Sequence, residues 1–313
     1  MKTVGGLEHI GIPTAATIGM FDGVHAGHRS VVDFLLREAH CRSLPTVVIT
    51  FSCHPRQVLC PECNLHLLME PQEKLSALSE TGVDYAVMLD FDRNLASLSA
   101  REFIRRIHRN YGVALLVAGY DHRFGHNPSD CFEDYVAYGR EEGVEVVRAP
   151  ELTGGLGHVS SSEIRRRLAV GDVAVAGKML TRPYRLGGIV VGGERNGRRI
   201  GFPTANIDIS SSQLVVPGNG VYAVRVILPD GLQRGGMLNI GTRPTVSQSG
   251  CRSVEVNIFD FSGDLYGHRI DVDFVEKVRD ERRMEGLEAL SRQLRIDRQA
   301  VEEILKNTLY ENH

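Results

Sequence analysis

Thr17-Ile18-Gly19-Met20-Phe21-Asp22-Gly23-Val24-His25-Ala26-Gly27-His28 is the stretch from which the N-terminal half of the chain can be read. Short apolar residues run into glycines and then into two histidines. Ala15 to Ile18 reads as the end of a buried strand, the chain turns at Gly19 and Gly23, and a helix starting near Val24 runs through Val31, Val32, Leu35 and Leu36. The first turn of that helix then carries both imidazoles. His25 and His28 share one helix face, where unpaired backbone N–H groups and the positive end of the dipole favour an anion. Two imidazole donors there suit a triphosphate. On an ordinary amphipathic helix one histidine would cap or pack and the other would be solvated; the preceding Gly-x-Phe-Asp-Gly makes the anion site the better reading.

Composition bounds the rest. With 313 residues, 42% of them apolar and 24% charged, the chain exceeds one ordinary core, and two soluble globular domains are expected. A net charge of −3 lacks the basic excess that a nucleic-acid partner requires, and the single arginine block is Arg165 to Arg167. Residues Met1 to Glu8 contain no apolar targeting core, and no apolar run approaches the ~18 residues needed to cross a bilayer, so a cytoplasmic location without membrane contact is expected. The oligomeric state is not written in the sequence. The six cysteines do not make a small disulfide scaffold. Cys60-Pro61-Glu62-Cys63, with Cys53, His54 and His66 nearby, raises a zinc or redox site, but a closed zinc site needs four fixed ligands and no second C-x-x-C completes it. Reduced loop cysteines are expected.

Further strands are expected at Thr46 to Phe51, Tyr85 to Leu89, Ala114 to Ala118 and Val144 to Val147, separated by helical patterns or turns. Ser99-Ala100-Arg101-Glu102 is a capping box opening a helix through Phe103, Ile104 and Ile107. This alternation implies a parallel sheet covered on both faces, with its ligand crevice at the carboxyl ends of the strands. Two polar segments follow strands there: Phe51-Ser52-Cys53-His54-Pro55, and Gly119-Tyr120-Asp121-His122-Arg123-Phe124-Gly125. Each alone would read as a polar turn; with the histidine pair they outline one crevice. Val159-Ser160-Ser161-Ser162-Glu163-Ile164-Arg165 reads as another helix start, with Ser160 and Glu163 as its capping box and hydroxyls and an arginine suited to phosphate. Arg166 and Arg167 read as a solvated face. Gly171 to Lys178 is not a Walker A loop, because the glycine spacing is one too long and Met179 stands where Ser or Thr is needed.

Near Leu180-Thr181-Arg182-Pro183 the pattern changes to strand-like runs, Gly188 to Val191, Val221 to Leu228 and Ile270 to Phe274, with no helical period until about residue 286. A second, antiparallel barrel is expected, closed by C-terminal helices with apolar positions from Leu287 to Leu309, the last of them capped by Asp297. Gly192 to Ile200 forms a glycine/arginine loop running into Phe202-Pro203-Thr204-Ala205-Asn206, where the oxygens of Thr204 and Asn206 are hard ligands suited to Mg²⁺. Glu255 stands in the apolar strand Val254 to Phe261, where a carboxylate is either outward and solvated or put to use.

These motifs, in this order, resemble the bacterial bifunctional riboflavin kinase/FAD synthetase family over nearly the whole chain. The His-x-Gly-His segment resembles the signature of nucleotidylyltransferases, the Ser160 to Arg165 segment resembles their S-S-T-x-I-R motif, and Gly197-Arg198 through Asn206 resembles the riboflavin kinase signature. The resemblance implies a Rossmann-like α/β nucleotidylyltransferase domain at 1–180 that adenylylates FMN, then an antiparallel β-barrel at 181–313 that phosphorylates riboflavin. It assigns ATP contacts to Gly19, Phe21, Asp22, Gly23, His25, His28, Ser162, Arg165, Gly197 and Arg198. Flavin contacts fall to His54, Asp121, Arg123, Phe124, Arg279 and Glu281, Mg²⁺ to Thr204 and Asn206, and the general base to Glu255. Riboflavin, FMN and ATP are the implied substrates and FMN and FAD the products. Departures from the family pattern stand at Met20, His122, Asn257 and Met284. They keep open a kinase with a weakened adenylyltransferase half, or a non-catalytic flavin-binding regulator; another nucleotidylyltransferase is opposed by residues 188–206 and 254–261.

Overall fold

The structure is a computed structural model that describes residues 1–310 apart from residues 7, 64, 121, 128, 154, 156, 194–196, 198–200, 243–251 and 283, and apart from the side chains of 309 and 310. The chain divides into two compact units, residues 1–161 and 162–313.

In the first unit a parallel sheet is built from β1 (Lys2–Gly5), β2 (Thr14–Ile18), β3 (Thr46–Phe51), β4 (Tyr85–Leu89), β5 (Val113–Ala118) and β6 (Glu145–Arg148), in the spatial order β1-β4-β3-β2-β5-β6. The expected strands are all present. The short edge strand β1, with only Val4 buried, lacked an apolar run that would have announced it. Helices α1 (Ala26–Cys41), α2 (Pro55–Leu59), α3 (Pro71–Ser79), α4 (Arg93–Ala96), α5 (Ala100–Tyr111) and α6 (Phe132–Glu142) connect the strands, and α7 (Ser161–Ala169) begins at the end of the unit. Alternate strand residues feed two cores. Ala16, Ile18, Val47, Ile49 and Leu116 pack under α5 with Ile104 and Ile107, whereas Ala15, Val48, Leu115 and Val117 pack with Val32 and Leu35 of α1. This double burial is why the strands read as continuous apolar runs. α5 starts on the expected Ser99/Glu102 capping box and ends on Gly112 at φ 65°.

Two expectations about this half change. His25 is not inside α1 but is its N-cap, with Nδ1 accepting from the His28 backbone N–H at 3.3 Å, because the left-handed turn before it delays the helix by one residue. Cys60 and Cys63 are not reduced thiols but a disulfide: Cys60 caps α2, and the 3₁₀ turn Pro61–Cys63 brings the two Cα atoms to 5.5 Å, within disulfide reach.

The second unit contains α8 (Val173–Leu180) and a closed barrel of β7 (Tyr184–Val191), β8 (Ala205–Asp208), β9 (Gly220–Ile227), β10 (Gln233–Thr242), β11 (Arg252–Ile258) and β12 (Arg269–Arg279), in the order β10-β11-β8-β7-β12-β9. Every neighbouring pair around the barrel is antiparallel. The expected C-terminal helices are one continuous helix, α9 (Leu287–Tyr310), and Asp297 lies inside it rather than capping a second one. Its carboxylate is 1% exposed and accepts from Arg279 Nε and Nη2 at 3.0 and 2.8 Å and from Gln293 at 2.8 Å, so the charge is spent on tertiary pairing. Val301 and Leu305 of α9 cover Val221, Ala223, Met237 and Phe259 on the barrel wall. No helix among the described residues is long and apolar enough to cross a membrane.

Candidate functional site

In the first unit β2 and β5 mark the point where strand order reverses, since β3 lies on one side of β2 and β5 on the other. Ligands of open parallel sheets bind beyond the strand ends at such a point. A cleft of about 390 Å³ lies there, lined by Gly19 to Phe21 after β2, Tyr120 and His122 after β5, and Val159 to Ser161, with His25, His28 and His158 among its walls.

The turn Gly19 to Val24 is strained and over-determined. Phe21 and Val24, neither of them glycine, sit at φ 49° and 39°, and Gly23 at 88°. Each left-handed side-chain residue costs on the order of 1–3 kcal/mol, which persists only where the surroundings hold it. They do. Gly19 donates to the Ile49 carbonyl at 3.1 Å, and the Met20 carbonyl accepts from Thr50 Oγ1 at 3.1 Å and Lys74 Nζ at 3.2 Å. The buried Asp22 carboxylate accepts from the Leu68 N–H at 2.9 Å, while the Asp22 carbonyl accepts from Ser161 Oγ at 3.0 Å. Asp22 is therefore an anchor of the turn.

The imidazoles of His25 and His28 stack with centroids 3.6 Å apart, and Phe21 lies 5.0 Å from the His28 ring. Burial, followed by the fields of His25, His122 and Lys74, holds His28 well below the ordinary imidazole range. It is a neutral ring at pH 7 whose buried Nδ1 has no hydrogen-bond partner among the described residues. Such a pair offers N–H donors at a helix start and takes up positive charge when an anion supplies the opposing field.

The other residues assigned by resemblance fall in several places. His54 caps α2 in a box with Gln57, its Nδ1 accepting from the Arg56 N–H at 3.1 Å. Phe124 is 9% exposed and stacks on Tyr135 at 4.3 Å, inside the core rather than along the cleft wall. Arg123 next to it is exposed, and Asp121 lies outside the described residues. Ser162 and Arg165, the first exposed and the second half-buried, are on α7 beyond the division between units. Arg166 and Arg167, whose side chains are 59% and 34% exposed, also pair with Glu163 at 2.6 and 2.8 Å, holding that carboxyl down at about 2.

In the second unit the barrel register brings the other set together. Glu255 on β11 lies directly opposite Asn206 on β8, so the two side chains leave the same face of the sheet. Asn257, two residues on, donates from Nδ2 to the Pro203 carbonyl at 2.6 Å and so fixes the turn entering Thr204. The glycine loop passes close above. A Cβ at Gly193 would stand 2.2 Å from Asn206 Nδ2, and one at Gly197 would stand 2.2 Å from the Phe202 carbonyl and 3.4 Å from Thr204 Oγ1. Only glycine allows so close an approach. Replacing Gly193 with alanine is therefore expected to displace the Asn206 amide without unfolding the barrel, read from a thermal melt that stays cooperative. A neighbouring cavity of about 650 Å³, lined by Pro203, Thr204, Phe261, Asp264 and Tyr266, has room for a flavin or a nucleoside.

Arg279 belongs to the same belt of the barrel, through Glu255 opposite Asn239, Asn239 opposite Val221 and Val221 opposite Arg279, and its guanidinium is the one held by Asp297. Glu281 accepts from Asn219 Nδ2 at 3.1 Å. Arg198 lies outside the described residues. Lys74, His158 and the Phe261 to Tyr266 segment were not singled out as site residues by the sequence. The signal was present for one of them: Lys74 occupies the stripe of α3 that it shares with Ala77 and Leu78, where an ammonium is out of place.

Residues 8–163 match the FAD synthetase family and residues 180–305 the riboflavin kinase family. A bifunctional riboflavin kinase/FMN adenylyltransferase from Pseudomonas fluorescens is 39% identical over 293 residues, covering 93% of this chain and 92% of that one. The protein of the same name from Escherichia coli (strain K12) is 38% identical over 283 residues, covering 90% and 89%. A crystal structure of a macrolide-efflux protein from Streptococcus pneumoniae is similar at a TM-score of 0.83 and 32% identity, covering 96% of this chain and 99% of that one.

Proposed function

The chain belongs to the bifunctional riboflavin kinase/FMN adenylyltransferase family, and from that premise we propose how its residues divide the two reactions. The enzyme phosphorylates riboflavin with ATP to give FMN and adenylylates FMN with a second ATP to give FAD and pyrophosphate. Residues 181–313 carry the first step and residues 1–180 the second. Its surroundings are the cytoplasm, and its ligands are small molecules.

The two steps need different chemistry. Riboflavin attacks the γ-phosphorus of ATP through a neutral hydroxyl, whose proton must leave as the P–O bond forms and ADP departs. Glu255 accepts that proton. FMN attacks the α-phosphorus through an oxygen already ionised, so the second site needs positioning and charge stabilisation rather than a base. His25, His28 and the N–H groups at the start of α1 supply it, with Gly19, Phe21, Asp22 and Gly23 shaping the cradle. The observation that carries this division is the pairing of Glu255 opposite Asn206, beside the Thr204 turn that Asn257 holds.

The donor set fits a magnesium ion. Thr204 hydroxyl and Asn206 amide oxygens are hard ligands, and the backbone of Gly193 and Gly197 comes so close that an added Cβ would stand 2.2 Å from the Asn206 amide and 3.4 Å from Thr204 Oγ1. Bound there, the ion neutralises charge on the transferring phosphate. The chain's own residues orient the hydroxyl and receive its proton.

Incubating the purified protein with MgATP and riboflavin, followed by chromatography, is expected to show FMN and then FAD. FMN without FAD would leave only the barrel active, and neither product would favour a flavin-binding regulator.

A further inference from the structure

Lys74 is 3% exposed on the apolar stripe of α3, and its ammonium donates to two backbone carbonyls, Phe51 at 2.6 Å and Met20 at 3.2 Å. Among the described residues no carboxylate forms a salt bridge with it. A buried charge satisfied by neutral carbonyls is costly, and a leucine or methionine would fill the same space at no such cost. Structure alone does not call for a lysine here. The two carbonyls it joins are telling. Phe51 ends β3, and Met20 lies in the turn after β2 that presents the histidines and lines the cleft, so one side chain ties together two strand exits, one of them at the cleft.

From this geometry we propose that Lys74 is a positioning residue for adenylyl transfer: it clamps the phosphate turn in its strained shape and places a buried positive charge beneath the nucleotide. The inference rests on the reading of the imidazole cleft as the adenylyltransferase site. The titratable groups facing Lys74 are Asp22 from the turn, Cys53 after β3 and His28 from α1. Its charge opposes that of His28, helping to keep the ring neutral until an anion arrives. Burial outweighs the fields of Asp22 and Cys53 and lowers the Lys74 ammonium to about 8. The sign follows directly. Below that pH the lysine is charged and the clamp is complete; as pH rises through it, the proton leaves, the charge under the nucleotide disappears and the bonds to Met20 and Phe51 weaken. FAD formation should therefore carry an alkaline limb near pH 8, absent from riboflavin phosphorylation.

The test compares wild type, Lys74→Met and Lys74→Arg in both reactions from about pH 6.5 to about 9.5. Lys74→Met is expected to lower kcat/KM for MgATP in FAD formation about ten- to hundredfold, as for loss of a charged hydrogen bond, with riboflavin phosphorylation unchanged. Lys74→Arg keeps a charge that does not titrate, so it is expected to retain part of the activity while losing the alkaline limb. An unchanged kcat/KM in Lys74→Met with the limb intact overturns the inference and leaves the reading of the cleft standing. Absence of FAD from the wild-type enzyme removes that reading instead. Should Lys74→Met fail to fold, the arginine variant decides: a limb that persists near pH 8 overturns the inference, and its disappearance supports it.

Discussion

Replacing His28 with alanine is expected to lower FAD formation from supplied FMN by ~10²–10³-fold while riboflavin phosphorylation proceeds at its wild-type rate, both followed by chromatography of the flavins. The size of the effect comes from where the ring sits. His28 stacks on His25 at 3.6 Å, lines the cleft at the strand switch point and is kept neutral by burial, to which the fields of His25, His122 and Lys74 add. Two imidazolium ions at that distance repel, so the empty site holds at most a partial positive charge. A triphosphate reverses the sign of the field, and the pair then answers the charge that grows on departing pyrophosphate. Alanine removes the donor and the ring contact with Phe21 together. His28→Asn retains an N–H donor but cannot take up a proton, and an activity between alanine and wild type would separate hydrogen bonding from charge. Unchanged FAD formation in the alanine variant would move the adenylyl-transfer site away from this helix.

Much of this arrangement was legible in advance, and the reasons are local. The strands of the parallel sheet are buried on both faces and stand out as apolar runs, and the Ser99/Glu102 box fixes where α5 begins. The residues Gly197, Thr204, Asn206 and Glu255 could be chosen by type, but not the meeting of Asn206 with Glu255: that depends on the β8–β11 register, which no short segment encodes. Asp297 illustrates the opposite error. Its residue type favours a helix cap, and only the tertiary partner Arg279, 18 positions earlier, explains an aspartate within α9. Lys74 is a third kind of case, visible as an anomaly in the stripe of α3 but meaningless until the carbonyls of Met20 and Phe51 appear beside it.

The departures from the family pattern also acquire physical content. The Met20 side chain packs against the sheet core while its carbonyl carries the load of the turn, so a residue without an amide can serve there through its backbone. His122 faces the same cleft as the histidine pair and adds to the field on His28. Asn257 holds the Pro203 carbonyl, a contact any side chain with an N–H donor of that reach can make.

Glu255→Gln is the complementary experiment, expected to lower kcat for riboflavin phosphorylation by ~10²–10⁴-fold with little change in KM, and to leave FAD formation from supplied FMN intact. Glutamine has the shape of glutamate and keeps one oxygen toward Asn206, so the barrel register and the shape of the pocket should survive. What it lacks is a basic site for the hydroxyl proton. A loss confined to KM would mean that the carboxylate binds rather than activates, and equal losses in both reactions would mean that the substitution disturbs the fold. If FAD formation fell while FMN formation held, the roles of the imidazole cleft and the barrel would have to be exchanged. The asymmetry between a neutral alcohol and an ionised phosphate is the reason to expect that an acid matters in the barrel and that the cleft works without one.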